Sequence, residues 1–217
     1  MDCCDPTVYD DTFDARRADD RLREYRRNGP NGWTRRLIDG LSTGDGVDGL
    51  TVLDIGAGVG AVHHALLEAG AASAVDVDAS GPYIDASRTE AERRGLADRV
   101  TYVKGDAVAR APDLAEADLV ALDRVVCCYP HMEALVRVAT ARTRRRLGLV
   151  LPRDDAWIRA GVEVSNRWSA LRGNPFRVHV HRTTDVLEVA LAGGLVPVQR
   201  HRGRFWQTMI LERPAAA

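Results

Sequence analysis

Apolar residues along the chain fall into two alternating patterns, short continuous runs and repeats at helical spacing. The runs are Thr51-Val52-Leu53-Asp54-Ile55 and residues 72–77, 100–103, 117–123 and 147–151. Short runs of this kind, rich in β-branched side chains, predict buried strands. Between them the spacing predicts helices. Val62, Ala65, Leu66 and Leu67 share one face, with Gly70 as a C-terminal cap. Ser80 is an N-cap for a helix reaching about Arg94, closed by Gly95. Pro130 opens a helix from Met132 to about Thr143. Trp157, Gly161, Val164, Trp168 and Leu171 mark another at spacings of three and four. Strands alternating with helices predict a parallel sheet covered on both faces.

The two ends depart from this alternation. At the start, Tyr9 and Phe13 stand one helical turn apart, and Leu22 and Tyr25 lie within a turn. Asn28-Gly29-Pro30-Asn31-Gly32 breaks the chain, and Trp33, Leu37, Ile38 and Leu41 share the face of a second helix ended by Gly44-Asp45-Gly46. Arg16, Arg17, Arg21, Arg23, Arg26 and Arg27, interleaved with acids, read as a solvated helix face. Towards the other end, residues 176–181 alternate as a strand, Thr183 caps a helix over 185–192, and Gly193-Gly194 stops it. Residues 195–202 and 204–211, joined through Gly203, predict a closing hairpin.

Composition narrows the class without naming a reaction. Hydrophobic residues make up 45% and charged residues 28%, ordinary for a soluble globular domain. A net charge of −1 leaves no global basic field to gather nucleic acid or anionic lipid. No apolar run approaches the ~18 residues of a membrane span. The start, Met1-Asp2-Cys3-Cys4-Asp5, lacks the basic and apolar regions of a signal peptide, so a cytoplasmic location is expected. Arg142, Arg144, Arg145 and Arg146 crowd the end of a predicted helix, where cations complement its dipole and no nucleic-acid patch is needed.

Chemistry concentrates after the first strand. The turn Gly56-Ala57-Gly58-Val59-Gly60 leads into a helix, and the next strand closes in Asp78. Glycines let a backbone approach a ligand closely, and a carboxylate about 20 residues on accepts hydrogen bonds from ribose hydroxyls. That is the logic of a nucleoside site. The dinucleotide pattern tolerates Ala61 in its last position, but Asp54 before the glycines and the third glycine at Gly60 favour another ligand.

Residues 52–60 resemble motif I of the class I S-adenosylmethionine-dependent methyltransferases. Asp78-Ala79-Ser80 is similar to that family's ribose-binding acid, and Asp106, after Lys104-Gly105, to its aspartate beside the adenine. Ala117–Asp123 looks like the strand that ends under the reacting methyl group. The resemblance implies S-adenosylmethionine as cofactor and S-adenosylhomocysteine as product. It assigns the cofactor to Asp54, Gly56, Ala57, Gly58, Gly60, Asp78, Ala79, Asp106, Ala107 and Asp123. It also implies an α/β fold: a Rossmann-like, doubly wound sheet of about seven strands, mostly parallel, with an antiparallel C-terminal hairpin strand and N-terminal cap helices. One domain suffices, with residues 1–46 as cap and 47–213 as core. Within the class, the segments LDRVVCCYPHMEALV and GRFWQTMILER, and Tyr9-Asp10-Asp11-Thr12-Phe13, are similar to magnesium-protoporphyrin methyltransferases and related small bacterial methyltransferases. Cys128 stands where the tetrapyrrole enzymes carry a histidine, which separates this chain from the porphyrin substrate.

The expected reaction is methyl transfer to a small-molecule acceptor, at oxygen. An alcohol or phenol must lose its proton to a base within hydrogen-bond reach. Tyr129 and His131 are the candidates at the end of the fourth strand, with His131 nearer in pKa to working pH. Tyr9, Cys128, Arg153 and Trp206 are expected to shape the acceptor pocket, with Arg153 suited to a carboxylate or phosphate unless Asp154 and Asp155 neutralise it. No metal is expected. The cysteines come as adjacent pairs, Cys3-Cys4 and Cys127-Cys128, and neighbours on an extended backbone point opposite ways. His179-x-His181 faces one side of a strand without a third ligand, and His63 and His64 read as lining or surface residues. Expected partners are the acceptor and at most a second copy in a homodimer, with no nucleic acid and no membrane. The rivals are an RNA or protein methyltransferase, a nucleotide-dependent oxidoreductase, and a cofactor-binding protein of this fold with a role other than methyl transfer.

Overall fold

The computed structural model describes residues 12–214. Cys3, Cys4 and Tyr9 lie outside the described residues. The Asn28–Gly32 break is two helix caps back to back. Helix α1 (Ala15–Asn28) starts at Asp14, whose side chain accepts the Arg17 N–H at 2.8 Å, and stops at Gly29 with φ 68°. Helix α2 (Gly32–Leu41) starts at Asn31, whose side chain accepts from the Trp33 and Thr34 N–H groups. These contacts satisfy N–H groups that a helix start otherwise leaves unpaired.

A seven-stranded sheet follows in the order β3-β2-β1-β4-β5-β7-β6. Strands β1 (Thr51–Ile55), β2 (Ser73–Asp78), β3 (Val100–Lys104), β4 (Ala117–Asp123) and β5 (Thr143–Pro152) run parallel. Strand β7 (Trp206–Glu212) lies antiparallel between β5 and β6 (Val196–Arg202). The helices between them are α3 (Ala61–Glu68), α4 (Gly81–Arg94), α5 (Met132–Arg142), α6 (Ala156–Leu171) and α7 (Thr183–Ala192). The order reverses between β1 and β4, so a crevice opens beyond the carboxyl ends of these strands, where such sheets bind ligands.

Alternating side chains divide the core between the two faces of the sheet. Leu53, Ile55, Val120, Leu122, Leu147 and Leu149 pack towards α5 and α7. Val52, Leu119, Ala121, Val150 and Ile210 pack towards α2 and α3, where Leu37, Leu41, Leu66 and Leu67 are buried. Helix α2 reaches the sheet because β5 carries Gly148, where a Cβ would stand 2.4 Å from Leu37 Cδ1.

Three local expectations change. Strand β5 starts directly after α5, so Arg144–Arg146 lie on the strand and only Arg142 sits at the helix end. Arg146 is buried there, pairs with Glu212 at 2.7 Å and donates to the Leu41 and Thr43 carbonyls. Residues 176–181 join no sheet. Their backbone groups have other partners: the Asn166 side chain takes both N–H and C=O of Val178, and the Cys127 carbonyl takes the His179 N–H. Thr183 is the first residue of α7, not its cap, and its hydroxyl donates to Asp154 and accepts from Gln207. Helix α6 has the expected spacing, but Trp157, Val164, Trp168 and Leu171 are exposed. Strand β6 is exposed throughout and its register shifts between Pro197 and Gln199.

Candidate active site

The first turn closes on the end of β2. The Gly56 N–H donates to the Val77 carbonyl at 2.6 Å, and the Gly58 N–H donates to Asp78 Oδ2 at 3.0 Å. Asp78 Oδ1 accepts the Ser80 N–H at 2.8 Å. Gly56, Gly58 and Gly60 have φ of 65°, 59° and 80°, a region that side chains disfavour. At Gly56 a Cβ would also stand 2.5 Å from Val125 Cγ2, so loop and β4 end fit only without one. Burial pushes the Asp78 pKa up to about 6 against the N–H donors that lower it. A carboxylate so poorly solvated gains from further donors such as ribose hydroxyls.

Behind the loop lies a buried polar cluster. His63 Nδ1 and Asp54 Oδ2 are 2.9 Å apart, and the His63 N–H also reaches that oxygen. Ser87 donates to Asp76 Oδ2 at 2.7 Å, and Asp76 lies 4.0 Å from His63 Nε2. Burial opposes charge on His63, but Asp54 and Asp76 outweigh it and hold its pKa above the usual histidine value. Burial raises Asp76 to about 7 and lowers His64 to about 2. The reading of His63 and His64 as lining or surface residues is therefore corrected: both are buried, with ring centroids 4.3 Å apart.

The next two strand ends complete the crevice. Asp106 Oδ1 accepts the Val108 and Ala109 N–H groups, and Oδ2 accepts the Tyr129 hydroxyl at 2.8 Å. Asp123 accepts the Thr34 hydroxyl at 2.5 Å and is paired with Arg124 at 3.0 Å. Arg124 has φ 62°, the one positive value among the described non-glycine residues. The 3₁₀ turn after it, Val126–Cys128, sets the two sulfur atoms 3.9 Å apart. That corrects the expectation that adjacent cysteines diverge, which holds for an extended backbone and not for a helical turn.

Helices α1 and α2 roof the crevice. Thr34 ties α2 to β4, Arg26 pairs with the buried Glu90 of α4 at 2.8 Å, and the Ser80 hydroxyl donates to the Phe13 carbonyl at 2.7 Å. Beneath the roof is a cavity of about 490 Å³. Gly56, Ala57, Gly58, Asp78, Ala79, Asp106, Ala107 and Asp123 all line it, as do Cys128 and Tyr129. Asp54 and Gly60 stand behind the loop and are not among its lining residues.

Other expected residues lie elsewhere. His131 is exposed, in the N-cap position of α5, and is not among the lining residues. Arg153 is held by Asp155 at 2.7 Å and by the Gly203 carbonyl at 2.8 Å, so its guanidinium is committed outside the cavity lining. Trp206 packs against the core on the α2–α3 side of the sheet, with its ring beside Phe205. Sequence reasoning missed the roof's own contribution, Tyr25, Asn28, Thr34 and Arg35, together with Arg124. The sequence showed the Asn28–Gly32 stretch as a break, but neither the Asn31 cap that holds Thr34 nor the reach of Thr34 to Asp123.

Comparison with known proteins agrees with this geometry. Residues 52–147 match a family model described as a methyltransferase domain. A ribosomal protein L11 methyltransferase from Enterobacter sp. (strain 638) is 42% identical over 84 residues, 38% of this chain and 26% of that protein. The chain thus aligns with about a quarter of the length of the curated relatives it matches. Among solved structures, magnesium protoporphyrin IX methyltransferase from Synechocystis PCC 6803 with bound SAH superposes with a TM-score of 0.74 at 20% identity, over 97% of this chain and 100% of that one. An O-methyltransferase family protein from Burkholderia thailandensis gives 0.69 at 18% identity, over 95% of this chain and 62% of that one. The chain has the fold of these solved methyltransferases, and its residues 52–147 match the methyltransferase domain.

Proposed function

We propose that the protein transfers the methyl group of S-adenosylmethionine to a small-molecule acceptor, at an oxygen atom. The observation that supports this reading is the roof. A cavity of about 490 Å³, roofed by α1 and α2 and braced by Thr34–Asp123 and by Ser80–Phe13 just before α1, has the size of small-ligand sites. Net charge adds no attraction for RNA.

The residues fit the cofactor. The glycine loop and Asp78 would hold ribose, Asp106 and Ala107 would border the adenine, and Asp123 stands at the β4 end. The cofactor supplies an already activated methyl group, so the protein's part is to hold an acceptor in line, and positioning can supply roughly 7–11 kcal/mol in well-oriented systems. Of the two residues weighed as base, Tyr129 borders the cavity with its hydroxyl on Asp106, and His131 does not border it. We therefore assign Tyr129 to the wall of the acceptor site and rest transfer mainly on positioning.

Single-turnover transfer from labelled S-adenosylmethionine to a panel of phenols, carboxylic acids, thiols and amines tests the reading. Label should appear in an oxygen-bearing small molecule, and the signal should fall with Asp78→Ala. Label found only in protein or RNA would overturn it. The likeness to ribosomal protein L11 methyltransferases is the observation that favours a protein acceptor, so ribosomal proteins belong in the panel. Tighter binding of a nicotinamide cofactor would move the chain to the oxidoreductase rival.

A further inference from the structure

We propose that Cys127, Cys128 and the carbonyl oxygen of Arg124 form a site for a thiophilic metal ion in the wall of the cavity. The three atoms already stand as three corners of a metal's coordination shell. The sulfurs are 3.9 Å apart, and they lie 3.3 Å and 3.5 Å from the Arg124 carbonyl oxygen. Tetrahedral zinc has arms of about 2.3 Å to sulfur and about 2.0–2.2 Å to oxygen, which gives edges of roughly 3.8 Å between sulfurs and roughly 3.6 Å from sulfur to oxygen. An ion would therefore ask the turn to move by only a few tenths of an ångström.

The same geometry disfavours the other chemistry open to paired thiols. Consecutive Cα atoms across a trans peptide are about 3.8 Å apart, below the about 4.4–6.8 Å that disulfides span. Closing a ring between neighbours strains it, whereas bridging both sulfurs through an ion does not. Thiolate donors select soft or borderline ions such as zinc or copper(I) over magnesium or calcium.

Charge and access are also suitable. Two thiolates balance a divalent cation, and the nearby Arg124 guanidinium is already paired with Asp123. Cys127 is buried, while Cys128 and Arg124 line the cavity. Three protein donors leave a fourth position, the arrangement of zinc sites that take up a water or a substrate. The ligands come from one turn and cross-link no distant segments, so the ion is an addition to a folded protein and not its staple. The site rests on these three atoms. Only its use, taking up an acceptor hydroxyl or thiol and lowering its pKa, rests on the transfer reading above.

Titration of the full chain with cadmium tests the site, read by thiolate-to-cadmium charge-transfer absorbance, with zinc calorimetry beside it. A Cys3→Ser/Cys4→Ser background removes the other cysteine pair. We expect one equivalent to bind there, and Cys127→Ser and Cys128→Ser each to weaken it at least about tenfold. Far-ultraviolet circular dichroism and thermal melting of the same variants report that they remain folded, because Cys128 itself lines the cofactor cavity. Absence of the absorbance band in the background protein, or an unchanged affinity in the Cys127→Ser/Cys128→Ser protein, would overturn the proposal.

Discussion

The two halves of the crevice are built by different means. On the β1–β2 side, functional contacts are short-range in sequence: Gly58 to Asp78 spans 20 residues and His63 to Asp54 spans 9. On the β4–β5 side and under the roof they are long-range. Thr34 to Asp123 spans 89 residues, His181 to the Tyr129 carbonyl 52, and Arg153 to the Gly203 carbonyl 50. A site closed within one β-α-β unit is fixed by that unit's own turn and strand. A site assembled from distant segments depends on the whole sheet being in place, so its chemistry can change while the first half stays constant.

The largest expected effect sets the first half apart by pH. Burial raises Asp78 to about 6 and Asp76 to about 7, both from an ordinary 3.8. A carboxylate raised on folding favours the folded state fully below its unfolded pKa and loses that contribution as pH rises through the folded value. For Asp78 this amounts to about 3 kcal/mol across pH ~4 to ~6. His63, also raised, acts in the same direction, its contribution fading as pH rises from its unfolded value through the folded one. Melting of the ligand-free protein should therefore weaken over that window, while S-adenosylmethionine affinity strengthens as Asp78 ionises. A flat melting profile without ligand would remove the distinction. Next in size, Asp78→Ala should cost ~1–3 kcal/mol of cofactor binding, several-fold to about a hundredfold by calorimetry. Arg153→Ala, in the other half, should leave that affinity unchanged.

Smaller effects probe the second half. Thr34→Val removes the hydroxyl donated to Asp123, a hydrogen bond to a charged group, and should lower stability by ~1.5–3 kcal/mol. A melting temperature lower by several degrees is the expected readout. His131→Ala should keep transfer within a few-fold of wild type. A loss of about 10²-fold or more would mean that the imidazole serves as base after all. Trp168→Arg, on the exposed face of α6, should change stability by no more than ~0.5 kcal/mol and leave cofactor binding alone.

How far the sequence was readable follows the same division. Strands β1 to β4, the glycine turn, the Ser80 and Gly95 caps of α4 and the antiparallel hairpin were all legible, because periodicity and turn chemistry are local. Residues 176–181 looked like a strand because alternation is equally local, and the Asn166 side chain that claims their backbone is not. His63 looked like a surface or lining residue because its burial depends on Asp76 and Ser87, which arrive with β2 and α4. His131 sits in sequence where a base would serve, yet the turn that opens α5 carries it outward. The cysteine pair was misjudged for one reason: its divergence was argued on an extended backbone, and the αL residue before it starts a 3₁₀ turn instead.

The exposed strand β6 has a consequence for how the protein behaves in a crowded solution. A sheet edge with open N–H and C=O groups is a template on which another chain can add a strand and begin to aggregate. Here that edge carries Pro197, which offers no N–H, and a register shift beside it that breaks the ladder's regular spacing. Beyond the shift, Arg200 and Arg202 put charge along the same strand. A foreign strand laid against β6 would find an interrupted row of donors and would have to accommodate two cations. The hairpin that completes the sheet thus also ends it, leaving at that side a border on which further strands are poorly held.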